Sequence, residues 1–222
     1  NLKFFADLYQ VSKKKFKERK QELLHFSRLA PFEDRLAWNL SGGMQKKLAL
    51  ACNLFHTPDL LLLDEPTTGV DPVSRRELWE LLFQLNAEGA TLLITTPYMD
   101  EAQRCHLVGF IFKGRMLSFK PPQSLIQEMK LETLELSTEH TQARKLLQKI
   151  PGLKNIYPYE ETLHLTFEPG KGGEGKTRDF LQKEKIEVQS LRRINPSIED
   201  AFLALVEEQS RLEEEGSGKK QA

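Results

Sequence analysis

The chain has 222 residues, of which 39% are hydrophobic and 29% charged, with a formal net charge of +0. That apolar content can fill a core in one generous domain or two small ones. The balanced charge gives no global case for nucleic acid or an anionic membrane, and no apolar run approaches the ~20 residues of a membrane helix.

The N-terminus "NLKFFADLYQVSKKK" has no apolar stretch of the signal-peptide kind. Residues 1–38 read as helical, with Leu2, Phe5, Leu8 and Tyr9 on one face. Ser12 is a cap for the next helix, whose apolar contacts are Phe16, Leu23, Leu24 and Phe26. The basic run over 13–20 is diluted by Glu18 and followed by Glu22, without interleaved exposed aromatics, and reads as a solvated helix face. Residues 46–56 form another helix. "PDLLLLDEP" is a continuous apolar run, which fits a strand buried on both faces of a parallel sheet. "PVSRRELWELLFQLNAEG" is an amphipathic helix with Pro72 early and Gly89 past its end. "ATLLITT" is a second buried strand, "MDEAQRC" a short helix, and "LVGFIFKGRMLSF" a hairpin around Gly114. The alternation predicts α/β with a mostly parallel sheet.

The pattern changes at "KPPQS", residues 120–124. Beyond it "ETLELS", "TLHLTF" and "EVQSLRRI" read as strands, the second half-exposed, and "ARKLLQKI" and "RDFLQKE" as short helices. "NPSIEDAFLALVEEQ" is a final helix, with Asn195 as cap and Ile198, Phe202 and Leu205 as its buried stripe. This predicts a small α+β domain over 131–210 after a linker at 120–130. The tail 211–222 is expected to be disordered. Cys52 and Cys105 are the only cysteines, and two isolated thiols read as reduced structural residues in a cytosolic setting.

Two stretches carry chemistry. "LSGGMQ" places Ser41, Gly42 and Gly43 at the start of a helix, where free N–H groups and the positive helix end suit an anion. An ordinary glycine turn that caps a helix has the same letters. "LLLLDE" ends a strand with Asp64 and Glu65, and carboxylates at that end of a parallel strand point into the ligand crevice of α/β folds. The first can hold Mg²⁺, and the second can orient or deprotonate an attacking water. A lone acidic pair at a polar loop entrance looks alike.

The order "LSGGMQ … LLLLDEPTTGVDP" resembles the ATP-binding cassettes of ABC transporters over residues 1 to about 120. The resemblance implies the C-terminal part of a cassette: a helical subdomain remnant over 1–45, the second half of a RecA-like ATPase core with a partial parallel sheet over 46–119, and then the α+β extension common in exporters. It implies ATP and Mg²⁺ as ligands, with Asp64 on the metal and Glu65 catalytic. Ser41, Gly42, Gly43 and Gln45 become the signature that meets ATP held by an opposite cassette, and Asp71 lies at the interface between the two. Implied partners are transmembrane permease subunits and a second cassette, as a homodimer, a heterodimer or a tandem repeat. No nucleic acid is expected, and the location is cytoplasmic, peripheral to the inner membrane face.

"PGKGGEGKTRDF" also matches the phosphate-loop pattern at Gly170, Gly175, Lys176 and Thr177. In the family that loop precedes the signature, so 170–177 reads as a surface glycine loop. The phosphate loop and the glutamine loop are then missing, Gln10 being too late for the latter. The chain is expected to begin partway through a cassette and to be inactive by itself. Pro97 stands where the family has a switch histidine, and His106 reads as a strand-edge residue. The sequence therefore supports part of an exporter ATPase subunit. A degenerate regulatory cassette and a soluble cassette unconnected with transport are the alternatives.

Overall fold

The computed structural model describes residues 1–138, 143–168, 170, 171 and 173–218. The chain forms two compact units, Asn1–Pro97 and Tyr98–Ala222. The division falls earlier than the change of pattern at 120–124.

The first unit runs α1 (Leu2–Leu8), α2 (Lys13–Phe26), α3 (Gly42–Cys52), β1 (Leu60–Asp64), α4 (Pro72–Ala87) and β2 (Thr91–Thr95). Ser12 caps α2 by accepting from the Lys15 N–H at 3.4 Å. Its buried core includes Leu23, Leu24, Leu50, Phe55, Leu78 and Leu82, and Phe16 stacks on Phe55. Of the face expected to point inward on α1, Leu2 is buried, but Leu8 is 61% exposed, and Ala6 is buried in addition. Helix α3 begins at Gly42, earlier than the apolar pattern indicates, because Ser41 caps it. Strands β1 and β2 pair in parallel, Leu60 opposite Thr91 through Asp64 opposite Thr95. They are not buried on both faces: Leu60, Leu62 and Leu93 stay 53%, 68% and 60% exposed. Both faces are apolar, but among the described residues only one is covered.

The second unit contains α5 (Met99–Ala102), the antiparallel hairpin β3 (Val108–Phe112) and β4 (Arg115–Lys120), and α6 (Pro122–Met129). Lys113 and Gly114 turn the hairpin at φ 48° and 75°, the left-handed pair that a two-residue hairpin needs. Then come β5 (Glu132–Ser137), α7 (Ala143–Leu147), β6 (Leu153–Tyr159), β7 (Thr162–Phe167), α8 (Glu174–Lys183), β8 (Ser190–Ile194) and α9 (Ile198–Gly218). The four strands form an antiparallel sheet in the order β6, β7, β5, β8. Its core holds Leu134, Leu136, Leu147, Leu165, Phe167 and Leu181. An α/β unit is thus followed by an α+β unit, as the pattern indicated.

Two elements were not expected. The 120–130 stretch forms α6, with proline in its first turn and Leu125 packed among Val108, Phe110 and Ile198. Strand β6 carries Pro158, a residue a sheet tolerates at an edge. The tail also differs, since α9 continues to Gly218; residues 219–222 lie outside those described.

The cap of α9 is Ser197, not Asn195. Ser197 Oγ accepts from the Asp200 N–H at 3.0 Å, and Asp200 Oδ2 accepts from the Ser197 N–H at 2.7 Å. These reciprocal bonds are a capping box. Asp200 also meets His164 Nδ1 of β7 at 3.0 Å, with both side chains buried. This contact closes the sheet face that "TLHLTF" was expected to leave half-exposed, and 164–167 are buried throughout.

Burial alone would raise the Asp200 carboxyl, but the hydrogen bonds from His164 and Ser197 hold it below its ordinary range. A carboxyl depressed in the folded state contributes stability above its unfolded value of ~4. That contribution is lost as pH falls through the lower folded value. Asp200→Asn is therefore expected to destabilise the chain at pH 7, on the order of 2 kcal/mol. The deficit should shrink steadily below pH 4, and urea unfolding followed by circular dichroism at pH 7 and pH 3 measures both.

Candidate functional site

The register of β1 on β2 sets Asp64 opposite Thr95. The Thr95 hydroxyl donates to Asp64 Oδ1 at 2.5 Å and accepts from the Glu65 N–H at 3.0 Å. The same N–H also reaches the Thr95 carbonyl at 3.1 Å. Glu65 then leaves the strand at φ 43°, a left-handed backbone that L-residues rarely adopt and that tends to persist at functional sites. The Thr68 hydroxyl donates to its Oε2 at 3.1 Å. Both carboxylates are exposed. A hollow of about 400 Å³ opens beside Asp64, lined also by Tyr9, Lys46, Asn53, His56 and Pro66.

The second cluster joins two helix N-termini. Ser41 caps α3, its Oγ accepting from the Met44 N–H at 3.3 Å. Asp71 caps α4, accepting from the Val73 and Ser74 N–H groups at 3.1 and 2.9 Å. The Ser74 backbone bond leads in holding the Asp71 carboxyl below its ordinary range. The two helix starts touch. A Cβ on Gly43 would collide with Ser74 Cβ, and would lie 2.5 Å from Ser74 Oγ and 3.3 Å from Val70 Cγ1. A Cβ on Gly42 would meet only the Gly69 carbonyl oxygen, at 3.8 Å. Ser41 and Gly42 are exposed, whereas Gly43 is buried. The Gln45 amide donates to the Ala37 and Leu40 carbonyls at 3.1 and 3.2 Å, so it anchors the approach to the turn.

The structure thus groups Asp64 with Glu65, and residues 41–43 with the loop that ends at Asp71. Sequence reasoning missed Thr95, the hydroxyl that ties the two strand ends. Its only signal was a threonine closing an apolar strand. It also missed Lys47, Glu77 and Arg28, which link α3, α4 and the end of α2.

The described residues 170, 171 and 173–177, the last four of which form the first turn of α8 and not a loop, are built differently from a phosphate loop. They follow β7, a strand of an antiparallel sheet. Thr177 is buried, and its hydroxyl donates to the Gly173 carbonyl at 3.1 Å. A phosphate loop instead holds that hydroxyl for Mg²⁺. Pro169 and Gly172 lie outside the described residues.

The sequence profile described as "ABC transporter" matches residues 2–68. The chain is 37% identical over 209 residues to the probable multidrug ABC transporter ATP-binding protein YbhF of Escherichia coli (strain K12), covering 93% of this chain and 36% of that protein. It is 35% identical over 214 residues to Nod factor export ATP-binding protein I of Rhizobium sp. (strain N33), covering 92% of this chain and 66% of that one. The chain therefore spans from about a third to about two thirds of the length of these relatives. Among solved structures it is similar to an ATP-binding subunit of an ABC transporter, with TM-score 0.50 and 26% identity over 58% of this chain and 54% of that one. It is also similar to cbiO1 of Clostridium perfringens, part of the ABC transporter complex cbiONQ, with TM-score 0.53, 28% identity and coverage of 58% and 52%.

The approach of Gly43 to Ser74 makes a direct prediction. Gly43→Ala is expected to destabilise the first unit by about 1–3 kcal/mol, the usual cost of overpacking. Ser74→Gly in the same chain is expected to recover most of that loss, because it removes the atoms that the new methyl meets. Urea unfolding of the four chains in the double-mutant cycle reads the coupling.

Proposed function

The chain belongs to the ATP-binding proteins of ABC transporters, and from that premise we propose that it forms part of the ATPase subunit of an exporter. The arrangement of Asp64, Glu65 and Thr95 at the end of a parallel strand carries this reading. The export printed in the name of Nod factor export ATP-binding protein I agrees with it. ATP is sandwiched between two cassettes, and its hydrolysis drives membrane permease subunits. The chain is then cytoplasmic and peripheral to the membrane, and no described helix is long and apolar enough to cross one.

The donor set fits Mg²⁺. The ion commonly takes one or two carboxylates, with water and substrate phosphates completing its shell. Asp64 supplies an exposed carboxylate at the strand end. When bound, the ion neutralises charge on the phosphates. Glu65, turned out of the strand by its left-handed backbone and steadied by Thr68, orients water and accepts its proton. Ser41 and Gly42 present the start of α3 to the phosphates of the nucleotide in the opposite cassette. Gly43 and Gln45 keep that turn in shape, and Asp71 holds the neighbouring helix end.

The 222-residue chain alone is expected to release no phosphate from ATP, because 170–177 does not have the build of a phosphate loop. In a protein that also carries such a loop, Glu65→Gln is expected to keep ATP binding and to lower hydrolysis by ~10²–10⁴-fold. Phosphate release and nucleotide binding, measured side by side, check this. Unchanged turnover overturns the role of Glu65.

Pro97 favours a second reading, a cassette that binds ATP and turns over slowly. Proline has no side-chain donor and no backbone N–H. A donor to charge developing in the transition state is worth about 3–4 kcal/mol. Pro97→His is expected to raise turnover in the longer protein, and Pro97→Ala is the control that restores only the N–H. Equal rates in the two, with equal ATP binding, would overturn the missing-imidazole explanation.

A further inference from the structure

Lys47 lies on the helix that carries the signature turn, with only 5% of its surface exposed. A buried ammonium requires a partner. It donates to Glu77 Oε2 of α4 at 2.5 Å. Glu77 Oε1 takes Arg28 at 3.2 Å, and Arg28 reaches Glu80 at 2.7 Å. The hydrogen bond from Lys47 leads in holding the Glu77 carboxyl below its ordinary range.

Arg28 stands just past the end of α2, at φ 58°. Glycine is the usual residue in that left-handed position after a helix. The arginine supplies what glycine lacks, a guanidinium on two glutamates of α4.

Spacing adds a geometric argument. Lys47 is four residues beyond Gly43, and Glu77 is three beyond Ser74. Both spacings return to the same helix face. The ion pair therefore sits one turn behind the close approach of Gly43 to Ser74. A single contact fixes only a separation; two at successive levels also fix the angle between α3 and α4. Apolar residues would join the helices with less desolvation, but they would not impose this one directed geometry.

We propose that the pair of Lys47 and Glu77, braced by Arg28, positions the signature turn against Asp71 so that the two helix N-termini form one rigid surface. Lys47 and Glu77 are positioning residues and do not reach the reacting atoms. The proposal rests on the reading of residues 41–43 as a nucleotide-contacting turn.

Hydrogen exchange of the 222-residue chain, without nucleotide, tests the positioning. Lys47→Met and Glu77→Gln are each expected to speed exchange about tenfold at the Met44, Gln45, Val73 and Ser74 amides. Lys47→Arg is expected to keep the parent pattern. Arg28→Gly, which suits the local backbone and removes only the brace, is expected to shift the same amides less, without loss of global stability. Unchanged exchange at these amides overturns the proposal. So does a uniform rise across the first unit, which marks the pair as general stabilisation. In a longer protein with a phosphate loop, Lys47→Met is expected to weaken ATP-driven pairing of cassettes about tenfold. Ser41→Arg in that protein reports on the nucleotide reading by itself. If Ser41→Arg leaves pairing intact, that reading fails, whereas the exchange pattern still decides the clamp.

Discussion

The register of β1 on β2 is the constraint on which the first unit depends. Asp64 opposite Thr95 lets one hydroxyl bond both the Asp64 carboxylate and the Glu65 N–H. A slip by one residue would send every side chain of the strand to the other face. From this fixed end the chain turns through Glu65, with Pro66 and Thr67 buried beneath the loop. It arrives at Asp71, which caps α4. Val70, just before that cap, and Ser74, in the first turn of α4, then face Gly43, so the seat of the turn at 41–43 is set, step by step, by a strand register.

In the second unit α9 holds two surfaces with opposite faces and by opposite physics. Ile198, Phe202 and Leu205 join the cluster of Val108, Phe110 and Leu125, with the Phe110 and Phe202 rings 5.1 Å apart. About half a turn of the helix away, Asp200 meets His164. Farther along that side Glu207 sits beside Tyr157, and burial raises both groups above their ordinary ranges. The apolar stripe contributes undirected attraction. The polar side contributes register, because a carboxylate bound to one imidazole and one capping serine has few alternative positions.

Helix and strand identities were legible where periodicity or capping chemistry was strong. The Ser12 cap, the course of α4 from Pro72 to before Gly89 and the hairpin at Gly114 all follow from local rules. Less legible were features set by tertiary contact. Proline-rich letters at 120–124 marked a break in pattern, yet Leu125 had a pocket to fill and a helix formed. Pro158 obscured β6 because a lone sequence does not say which strand lies at an edge. The cap at Ser197 was readable from its spacing to Asp200, and Asn195 drew attention only by residue type. In the site, the carboxylates were visible as letters at the end of an apolar run. Thr95 was not, because its role depends on a partner strand thirty-one residues away.

The two glycines of "LSGGMQ" show how far a residue type constrains its own explanation. An anion held at free N–H groups of a helix start gives the same reason for a glycine at either letter. Their surroundings separate them. Gly43 is buried against Ser74 and Val70, so the absence of its Cβ is accounted for by helix packing. Gly42 is exposed, and a Cβ there would make only an ordinary contact with the Gly69 carbonyl. Packing therefore leaves the small size of Gly42 unexplained, and it is the position where ligand approach supplies a reason. Packing and the proposed recognition fall on adjacent residues because successive positions at a helix start face different directions. One faces the neighbouring helix while the next stays open at the positive end of the dipole.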